Sequence, residues 1–319
     1  MYKLSALLAI AVALVATAAH AAQPAYPEKP IRLVVGSAAG AGVDIIARAM
    51  ADRLYAALGQ RIVVDNRPGV AGILSAELVL RSAPDGYTWM MLTSQLLVAT
   101  AVYPDVKFNL EKDFASISLL GTIPFVLVVN SQLPAKSIRE LIELAKKTPL
   151  RYGSAGTGAT EHLSAVLFAT MTGTDMLHVP YKGIAQALTD TIGNEVHLTY
   201  AILSPVLPMI QSGRVRALGV TSSKRNSLLP DVPSISEVLP GYETLGWASV
   251  LAAAGTPGAL LAKASAEVAK VVWEPQFSEP LKALGWDLVG STRADLDAFR
   301  REQTKRTGEI VKASGANVR

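Results

Sequence analysis

The sequence contains no cysteine, and this absence excludes disulfide bonds, thiolate chemistry and the attachment of a lipid at a cysteine. Charged residues are also few, at 18% of the chain, and the net charge is a modest +4. No run of Lys and Arg alternates with aromatic residues, so the sequence argues against a nucleic-acid-binding protein. Positive and negative residues are mixed along the chain, which leaves a membrane-surface role unsupported.

Several short motifs that would indicate an enzyme or a metal site are incomplete. The glycine-rich segment 36–42 lacks the Gly-Lys-Ser/Thr of a Walker loop and the third glycine of a dinucleotide-binding fingerprint. The sequence around Ser154 lacks the first glycine of a nucleophile elbow. The three histidines after residue 21 do not have the spacing of metal ligands. We therefore predict no catalytic residue, no metal site and no cofactor.

The N-terminal segment predicts export of the protein. A short basic region, Met1–Lys3, precedes residues 4–18, which are almost all Ala, Leu, Val and Ile, and Ala19-His20-Ala21 fits a small-x-small cleavage pattern. We predict a signal peptide at residues 1–21, cleavage after Ala21 and a periplasmic location. The alternative is an uncleaved anchor, but the apolar run is shorter than the roughly 20 residues of a membrane span. Half of the chain is hydrophobic, which indicates a core large enough to fold without disulfides.

Short apolar strands alternate with helical segments along the rest of the chain, and this pattern predicts parallel sheets flanked by helices. The strand 31–35 is followed by the glycine-rich loop 36–42 and by a helix that begins near Val43 or Asp44. A second such loop, 153–158, precedes a helix predicted near 159–171. Glycine lets backbone approach a ligand closely, and the first turn of a helix offers unpaired N–H groups and positive partial charge. Both loops therefore predict an anion site.

Polar residues near these loops have structural as well as functional interpretations. Asp44 is predicted as a helix N-cap, with ligand contact as the alternative, and Arg48 as its ion-pair partner rather than a ligand clamp. His162 is either a ligand contact or a partly buried helix residue. Lys182, in the strand-to-helix connection Pro180–Gly183, is either a charge for the ligand or a surface lysine. The two loops could each take one end of a dicarboxylate, or both could bracket a single carboxylate.

The order and spacing of several motifs resemble those of the Bug-type (TctC-like) extracytoplasmic solute receptors of tripartite tricarboxylate transporters, over essentially the whole mature chain. The motifs are Tyr26-Pro-Glu-Lys-Pro-Ile-Arg-Leu-Val-Val35, the first glycine-rich loop with Asp44 and Ala47-Arg48, Val64-Asp-Asn-Arg-Pro-Gly69, Pro84-Asp-Gly-Tyr87, Tyr152-Gly-Ser-Ala-Gly-Thr-Gly158 with His162, Pro180-Tyr-Lys-Gly183, Arg216-Ala-Leu-Gly-Val-Thr221, Leu229-Pro-Asp-Val-Pro233 and Gly255-Thr-Pro257. No single motif is specific, but the set is.

The resemblance implies an α/β fold, namely a two-domain periplasmic binding protein of the Venus flytrap type (type II). Each domain would be a mostly parallel sheet flanked by helices, with the ligand in the interdomain cleft. Residues 22–123 plus 245–319 would form domain 1, and residues 124–244 domain 2. In such receptors backbone N–H groups and ordered water hold the ligand carboxylate. Carried onto this sequence, the resemblance nominates as ligand-binding residues Ser37, Ala38, Ala39, Gly40, Ala41, Gly42, Asp44, Thr93, Ser94, Gln95, Ser154, Ala155, Gly156, Thr157, Gly158, His162, Tyr181, Lys182 and Gly183.

The expected function is capture of a small carboxylate, or a related small metabolite, by a monomer that is not an enzyme. The expected partners are that ligand and membrane transporter subunits encoded elsewhere. An exported enzyme acting on a small carboxylate and a ligand sensor that feeds a signalling partner remain as alternatives. The first loop departs from the family pattern, because Gly36-Ser37 replaces Pro-aromatic and Ala41 replaces a glycine. Loss of an aromatic wall predicts a wider or more polar pocket beside Ser37.

Overall fold

The computed structural model describes residues 26–103 and 105–314, so the predicted signal peptide and its cleavage site lie outside the described residues. The strands are β1 (Ile31–Val35), β2 (Ile62–Asn66), β3 (Thr88–Thr93), β4 (Phe114–Asn130), β5 (Leu150–Ser154), β6 (Met176–Pro180), β7 (Leu198–Ile202), β8 (Val215–Val220), β9 (Leu245–Ala253) and β10 (Asp287–Leu288). The helices are α1 (Gly42–Leu58), α2 (Ile73–Leu80), α3 (Ser94–Val102), α4 (Ile138–Lys147), α5 (Thr160–Thr172), α6 (Ile184–Ile192), α7 (Leu203–Gln211), α8 (Gly258–Trp273), α9 (Pro275–Ala283) and α10 (Arg293–Ser314). Within the described ranges, no helix has both the length and the apolarity that a membrane span requires.

The first sheet has the strand order β2-β1-β3-β9-β4. β1 pairs in parallel with both of its neighbours, β2 and β3. β9 is antiparallel to β3 on one side and to β4 on the other. The short strand β10 also pairs with β4, antiparallel to it. Four strands of this sheet therefore point in the same direction, and β9 and β10 are reversed.

The second sheet has the strand order β6-β5-β7-β4-β8. β5 is parallel to β6 and to β7, whereas β4 is antiparallel to β7 and to β8. Again four strands point in the same direction, and β4 is reversed. The predicted α/β fold with two mostly parallel sheets is confirmed, with β9 and β10 reversed in the first sheet and β4 reversed in the second.

Strand β4 runs through both sheets. It pairs with β9 as far as Pro124, and from Phe125 onward it pairs with β7 and β8. Gly121 and Pro124 are both unfavourable inside a strand. Pro124 is tolerated because it lies where β4 changes its pairing partner. Gly121 lies so close to β10 that a Cβ there would be 2.7 Å from the carbonyl oxygen of Asp287, so the close pairing with β10 needs a glycine at this position. The domain boundaries at 123/124 and 244/245 stay a prediction.

Alternating residues of the strands fill apolar layers on both faces of each sheet. In β1, Leu33 and Val35 pack with α1 and α8, whereas Val34 packs with α2 and α3 on the other face. In β4, Leu127 packs with α4 and α5, and Val128 packs with α6 and α7. Continuous apolar strands are typical of sheets that are covered on both faces.

The connections that follow β1, β3, β5 and β6 each lead directly into the N-terminus of a helix. Since parallel strands end at the same edge, the loops that the sequence singled out lie at the carboxyl edges of the two sheets. A smaller apolar cluster joins α3, α5 and α10 through Val98, Val102, Leu163 and Ile310. This cluster connects helices that belong to different sheets.

Candidate functional site

The first glycine-rich loop connects β1 to α1, and Asp44 holds its conformation. The helix begins at Gly42 with Ala41 as its N-cap, so Asp44 is the third helical residue and the N-cap prediction is wrong. The carboxylate instead reaches back and accepts a hydrogen bond from the N–H of Gly40 at 2.8 Å. A φ of 82° at Gly40 allows the turn that places this N–H over the helix end.

Asp44 is the centre of a network that closes the loop. The residue is 2% exposed and also accepts hydrogen bonds from Arg48 Nε at 3.0 Å and from Asn66 Nδ2 at 2.8 Å. The same Asn66 nitrogen donates to the carbonyl oxygen of Ser37 at 3.1 Å. Burial alone would raise the pKa of Asp44, but the hydrogen bonds from Arg48, Gly40 and Asn66 prevail and lower it below 3.8. The ion-pair role predicted for Arg48 is confirmed, and ligand contact by Asp44 stays a prediction.

Several amides of this loop are free to bind an anion. Within the described parts of the chain, no protein acceptor is within hydrogen-bond reach of the N–H groups of Ser37, Ala38, Ala39, Gly42 and Val43. The backbone at Ala38, Ala39 and Gly42 is exposed. Unpaired amides at the N-terminus of a helix of this length are the groups that an anion site needs.

Ser37 does not present its hydroxyl to solvent. Its Oγ is buried and has no hydrogen-bond partner among the described residues. The wider or more polar pocket expected beside Ser37 stays a prediction, and this hydroxyl does not contribute to its polarity in the present arrangement.

The second glycine-rich loop is held from beneath by uncharged side chains. Ser154, 0% exposed, accepts a hydrogen bond from the N–H of Gly156 at 3.1 Å, and its Oγ lies 2.7 Å from His178 Nε2. The N–H of Gly158 donates to His162 Nδ1 at 3.2 Å. The hydroxyl and the imidazoles therefore fix the loop in the way that Asp44 fixes the first loop.

The two histidines form a stack with Tyr152. The ring centroids of His162 and His178 are 4.2 Å apart, and those of Tyr152 and His178 are 4.9 Å apart. Burial lowers the pKa of His162, and burial together with the charge of His162 lowers the pKa of His178 to about 4. Both imidazoles are therefore neutral at pH 7 and can accept hydrogen bonds. His162 is 6% exposed, as its buried-residue interpretation expects, and its contact with a ligand stays a prediction.

The start of α3 meets the start of α5. Ser94 Oγ lies 3.3 Å from Thr160 Oγ1, and both residues are buried. On the same side, a Cβ on Gly158 would lie 3.8 Å from Val102 of α3. The structure thus brings the nominated segment Thr93–Gln95 against the second loop.

The first loop is connected to α3 through close backbone packing. A Cβ on Gly36 would lie only 2.8 Å from the Cα of Gly72, and a Cβ on Gly72 would lie 3.6 Å from the Cβ of Leu96. Gly36 therefore has no room for a side chain in this arrangement. A series of contacts therefore runs from Gly36 through Gly72 and α3 to Thr160, and it links the first loop, the segment Thr93–Gln95 and the second loop.

The fourth nominated segment, Tyr181–Gly183, lies beside the second loop. The N–H of Tyr181 donates to the carbonyl oxygen of Ser154 at 3.0 Å. Its hydroxyl donates to Asp190 at 2.7 Å, and burial together with this bond raises the pKa of Tyr181 to about 12. Lys182 is exposed and has no ion-pair partner among the described residues. The ring of Tyr181 and the amine of Lys182 remain available to a ligand, whereas the tyrosine hydroxyl is already bonded.

Two residues near the site were not found by sequence reasoning. His178 joins the scaffold of the second loop because it is the cross-strand partner of Tyr152, and strand pairing is not visible in a single sequence. Glu161, in the first turn of α5, is the other. An acid in the first turn of a helix is common, because the helix N-terminus carries positive partial charge, so the sequence does not distinguish Glu161 as a site residue.

A family model described as the tripartite tricarboxylate transporter family receptor, TctC, matches residues 46–316. The chain belongs to the TctC family. A curated TctC relative from Pseudomonas sp. (strain P51), a protein of the tcbD-tcbE intergenic region, is 36% identical over 291 residues, which cover 90% of this chain and 87% of that protein.

Solved structures of similar proteins share the TctC fold. Rpa4515 of R. palustris, solved with adipate, is 34% identical with a TM-score of 0.79 and covers 91% of this chain and 98% of its own. The periplasmic binding protein BugD is 31% identical with a TM-score of 0.77, over 92% and 99% of the two chains. MatC of Rhodopseudomonas palustris, solved with bound malate, is 28% identical with a TM-score of 0.76, over 90% and 100%.

TctC proteins are periplasmic solute receptors of tripartite transporters and not enzymes, so the enzyme alternative is excluded. The resemblance to Bug-type receptors is likewise confirmed. In the residues that the structure covers, no group of three or more His, Asp or Glu side chains could hold a metal ion.

Proposed function

We propose that this TctC-family receptor captures a small carboxylate in the cleft between its two sheets and delivers it to the membrane subunits of its transporter. The free amides of the first loop, at the N-terminus of α1, carry the proposal. A second glycine-rich loop precedes α5, which meets α3 through Ser94 and Thr160. The adipate and malate held by similar receptors support a carboxylate as the ligand class.

Backbone N–H groups are expected to supply most of the affinity. Each hydrogen bond to a charged carboxylate contributes about 1.5–3 kcal/mol, and the helix N-termini add positive partial charge. The nominated residues at 37–42, 93–95, 154–158 and 181–183 would surround the ligand. Asp44 and His162 would act mainly by holding the loops, because the protein already occupies both carboxylate oxygens of Asp44 and the Nδ1 of His162.

The two proposed domains would close on the ligand by bending at the two places where the chain passes between them, within β4 and directly before β9. Residues 22–123 plus 245–319 and residues 124–244 would move as bodies about β4 and β9, which pair with each other as far as Pro124 and Leu245. Closure would bring the two loops to opposite sides of one carboxylate.

The test is a binding screen of residues 22–319, the predicted mature chain, after refolding to remove any bound ligand. Thermal-shift and calorimetric measurements would use mono-, di- and tricarboxylates, amino acids and aromatic acids. A ligand at about 100 times its dissociation constant stabilises the folded state by about 2.7 kcal/mol, so one chemical class should clearly raise the Tm. No shift with any carboxylate would contradict the proposal.

A pair of matched variants tests where the ligand binds. Gly42 and Gly258 are each the first residue of a long helix, and a Cβ on either meets no atom within 4 Å. Gly42→Glu should abolish binding, because it adds a carboxylate to the free amides without a steric clash. Gly258→Glu, at the start of α8, should leave binding unchanged. Equal affinity of the two variants would place the ligand elsewhere.

A further inference from the structure

Among the described residues, the chain passes between the two sheets at two places. β4 leaves the first sheet after Pro124 and enters the second at Phe125. β9 enters the first sheet at Leu245, directly after Thr244. Phe125 and Thr244 are therefore the residues on the second-sheet side of the two crossings. Any movement of one sheet against the other must bend the chain next to them.

Thr221 joins the two crossings. Its Oγ1 accepts a hydrogen bond from the N–H of Phe125 at 2.8 Å and donates to the carbonyl oxygen of Thr244 at 2.6 Å. Its backbone repeats the connection, because its N–H donates to the carbonyl oxygen of Phe125 at 2.9 Å and its carbonyl oxygen accepts from the N–H of Thr244 at 3.1 Å. Thr221 is 0% exposed, so water does not compete for these bonds. One residue therefore holds both crossing strands at the same level.

A second set of hydroxyls connects Thr244 to the second glycine-rich loop. Ser164 Oγ donates to the carbonyl oxygen of Thr160 at 2.9 Å and lies 2.7 Å from Thr244 Oγ1. Because a hydroxyl has one proton, Thr244 is the donor in the second of these bonds. The hydroxyl of Tyr242 donates to the carbonyl oxygen of Ser164 at 2.9 Å. The first turn of α5, which follows the loop 154–158, is thus tied to the strand that crosses at Thr244.

The series of hydroxyls ends on the other sheet. Thr160 Oγ1 lies 3.3 Å from Ser94 Oγ at the start of α3, which follows β3 of the first sheet. The hydroxyl residues of the series are each at most 8% exposed, namely Ser94, Thr160, Ser164, Thr221 and Thr244. A buried polar network whose members are bonded to one another fixes one arrangement of the elements that it joins. Here those elements are the two crossing strands and the helix starts at the proposed ligand site.

We propose that Thr221 is a positioning residue for ligand binding, which makes the two crossing strands bend as one unit, and that Thr244 and Ser164 extend this unit to the start of α5. The second loop then keeps a fixed orientation to the crossing strands while the first loop approaches it. This inference rests on the proposed function, since it assumes that the two loops close on a ligand. Without the hydroxyl of Thr221 the strands can bend separately, which adds arrangements in which the two loops do not meet.

The first measurement needs no ligand. The chain has no cysteine, so Asp52→Cys on α1 and Arg139→Cys on α4, both at exposed positions, provide sites for two spin labels. Pulsed electron paramagnetic resonance gives the distribution of distances between the labels. Thr221→Val keeps the shape of the side chain but removes the hydroxyl, and it should widen this distribution. Thr221→Ser keeps the hydroxyl and should restore the distribution of the parent protein.

Thr191→Val is the matched control. Thr191 is also 0% exposed, and its Oγ1 donates to the carbonyl oxygen of Ala187 at 2.7 Å, within α6. The control removes a buried threonine hydroxyl from a helix of the second sheet without changing a crossing. It should lower the Tm, as Thr221→Val does, but leave the distribution of distances unchanged. Circular dichroism melting compares the two variants.

The second measurement titrates adipate and malate by calorimetry into the unlabelled variants. Thr221→Val should bind the tighter of the two acids about tenfold more weakly than the wild type, whereas Thr191→Val should bind it as the wild type does. Ser164→Ala interrupts the same series away from the crossings and should weaken binding in the same direction. If Thr221→Val does not fold, unchanged affinity in Ser164→Ala overturns the inference.

The outcomes separate the two proposals. A distribution that only Thr221→Val widens, with no binding of any carboxylate, contradicts the proposed function but supports the joining of the strands by Thr221. Equal distributions in Thr221→Val and Thr191→Val, no rescue by Thr221→Ser, or unchanged affinity in Thr221→Val overturns this inference and leaves the carboxylate receptor intact. Widening and about tenfold weaker binding in Thr221→Val alone support both.

Discussion

The two glycine-rich loops have similar shapes but are held by opposite chemistry. Behind the first loop, an ionised carboxylate, Asp44, gathers donors from Gly40, Arg48 and Asn66. Beneath the second loop, the neutral imidazoles of His162 and His178 bind Gly158 and Ser154. The first loop requires Asp44 to stay ionised, and the second loop requires the two imidazoles to stay neutral.

This difference shows how an anion site can be shaped without placing a cation in it. Arg48 offsets the charge of Asp44, and the hydrogen-bond network of Asp44 therefore adds little net charge behind the first loop. The imidazoles of His162 and His178 add no charge to the second loop at neutral pH, because burial lowers their pKa values. Attraction for the ligand is then left to the amides and the helix N-termini. The following predictions test each scaffold in turn.

The largest effect is expected for Asp44→Ala. The change leaves Gly40, Arg48 and Asn66 without their shared acceptor, and hydrogen bonds to a charged group contribute about 1.5–3 kcal/mol in folded proteins. We expect a loss of about 2–3 kcal/mol in the free energy of unfolding, measured with urea, and a ligand affinity at least tenfold weaker. Asp52→Ala, an exposed acid on the same helix, is the control. Equal losses in the two variants would show that the network does not hold the loop.

An intermediate effect is expected from acidification, and it should separate the two scaffolds. Because the folded-state pKa of His178 is lowered from 6.5 to about 4, the unfolded chain takes up its proton first as the pH falls. Stability is therefore complete above pH 6.5 and declines toward pH 4, by about 1–2 kcal/mol for this partly exposed group after allowance for solvent screening. Asp44 must stay ionised, so its contribution is complete well above pH 3.8 and declines as the pH falls from 3.8 through its lowered pKa, which separates it from the decline due to His178.

Urea unfolding between pH 7.5 and 4 measures this decline. His178→Asn should make the free energy of unfolding less dependent on pH. His197→Asn measures how much His197 contributes to the decline, because burial and Arg151 lower its pKa as well. If the pH profile of His178→Asn is identical to that of the wild type, the neutral imidazole of His178 does not stabilise the protein.

The smallest effect is expected for Ser37→Ala. The hydroxyl is buried and has no hydrogen-bond partner in the described residues, so its removal should be neutral or slightly stabilising, within about 0.5 kcal/mol. Ligand affinity should also stay within twofold, since the loop amides are unchanged. A clear loss of affinity, measured by calorimetry, would mean that the hydroxyl turns toward the ligand on binding.

Much of the fold followed from local sequence signals, because they reflect short-range physics. The helix predicted near Val43 or Asp44 begins at Gly42, and the helix predicted near 159–171 spans Thr160–Thr172. The order of motifs placed the chain in its family. These features depend on neighbouring residues or on the pattern as a whole.

The side-chain scaffold of the loops could not be read in the same way. The local pattern predicts an N-cap at Asp44, because a single sequence does not show that Asn66, on the next strand, completes its network. The sequence gives no signal for His178, since its role requires β6 to pair with β5 and His162 to approach from a helix. Such contacts join residues that are distant in sequence, and no periodicity encodes them.

The most direct test of the central claim is a crystal structure of the chain with the tightest ligand from the screen. We predict that the ligand carboxylate lies about 3 Å from backbone nitrogens of the first loop, at 37–43, and also from backbone nitrogens of the second loop, at 155–158. We also predict that Asp44 and the imidazole of His162 keep their bonds to Gly40 and Gly158. A carboxylate bound by Lys182 or another basic side chain, away from the loop amides, would contradict the claim.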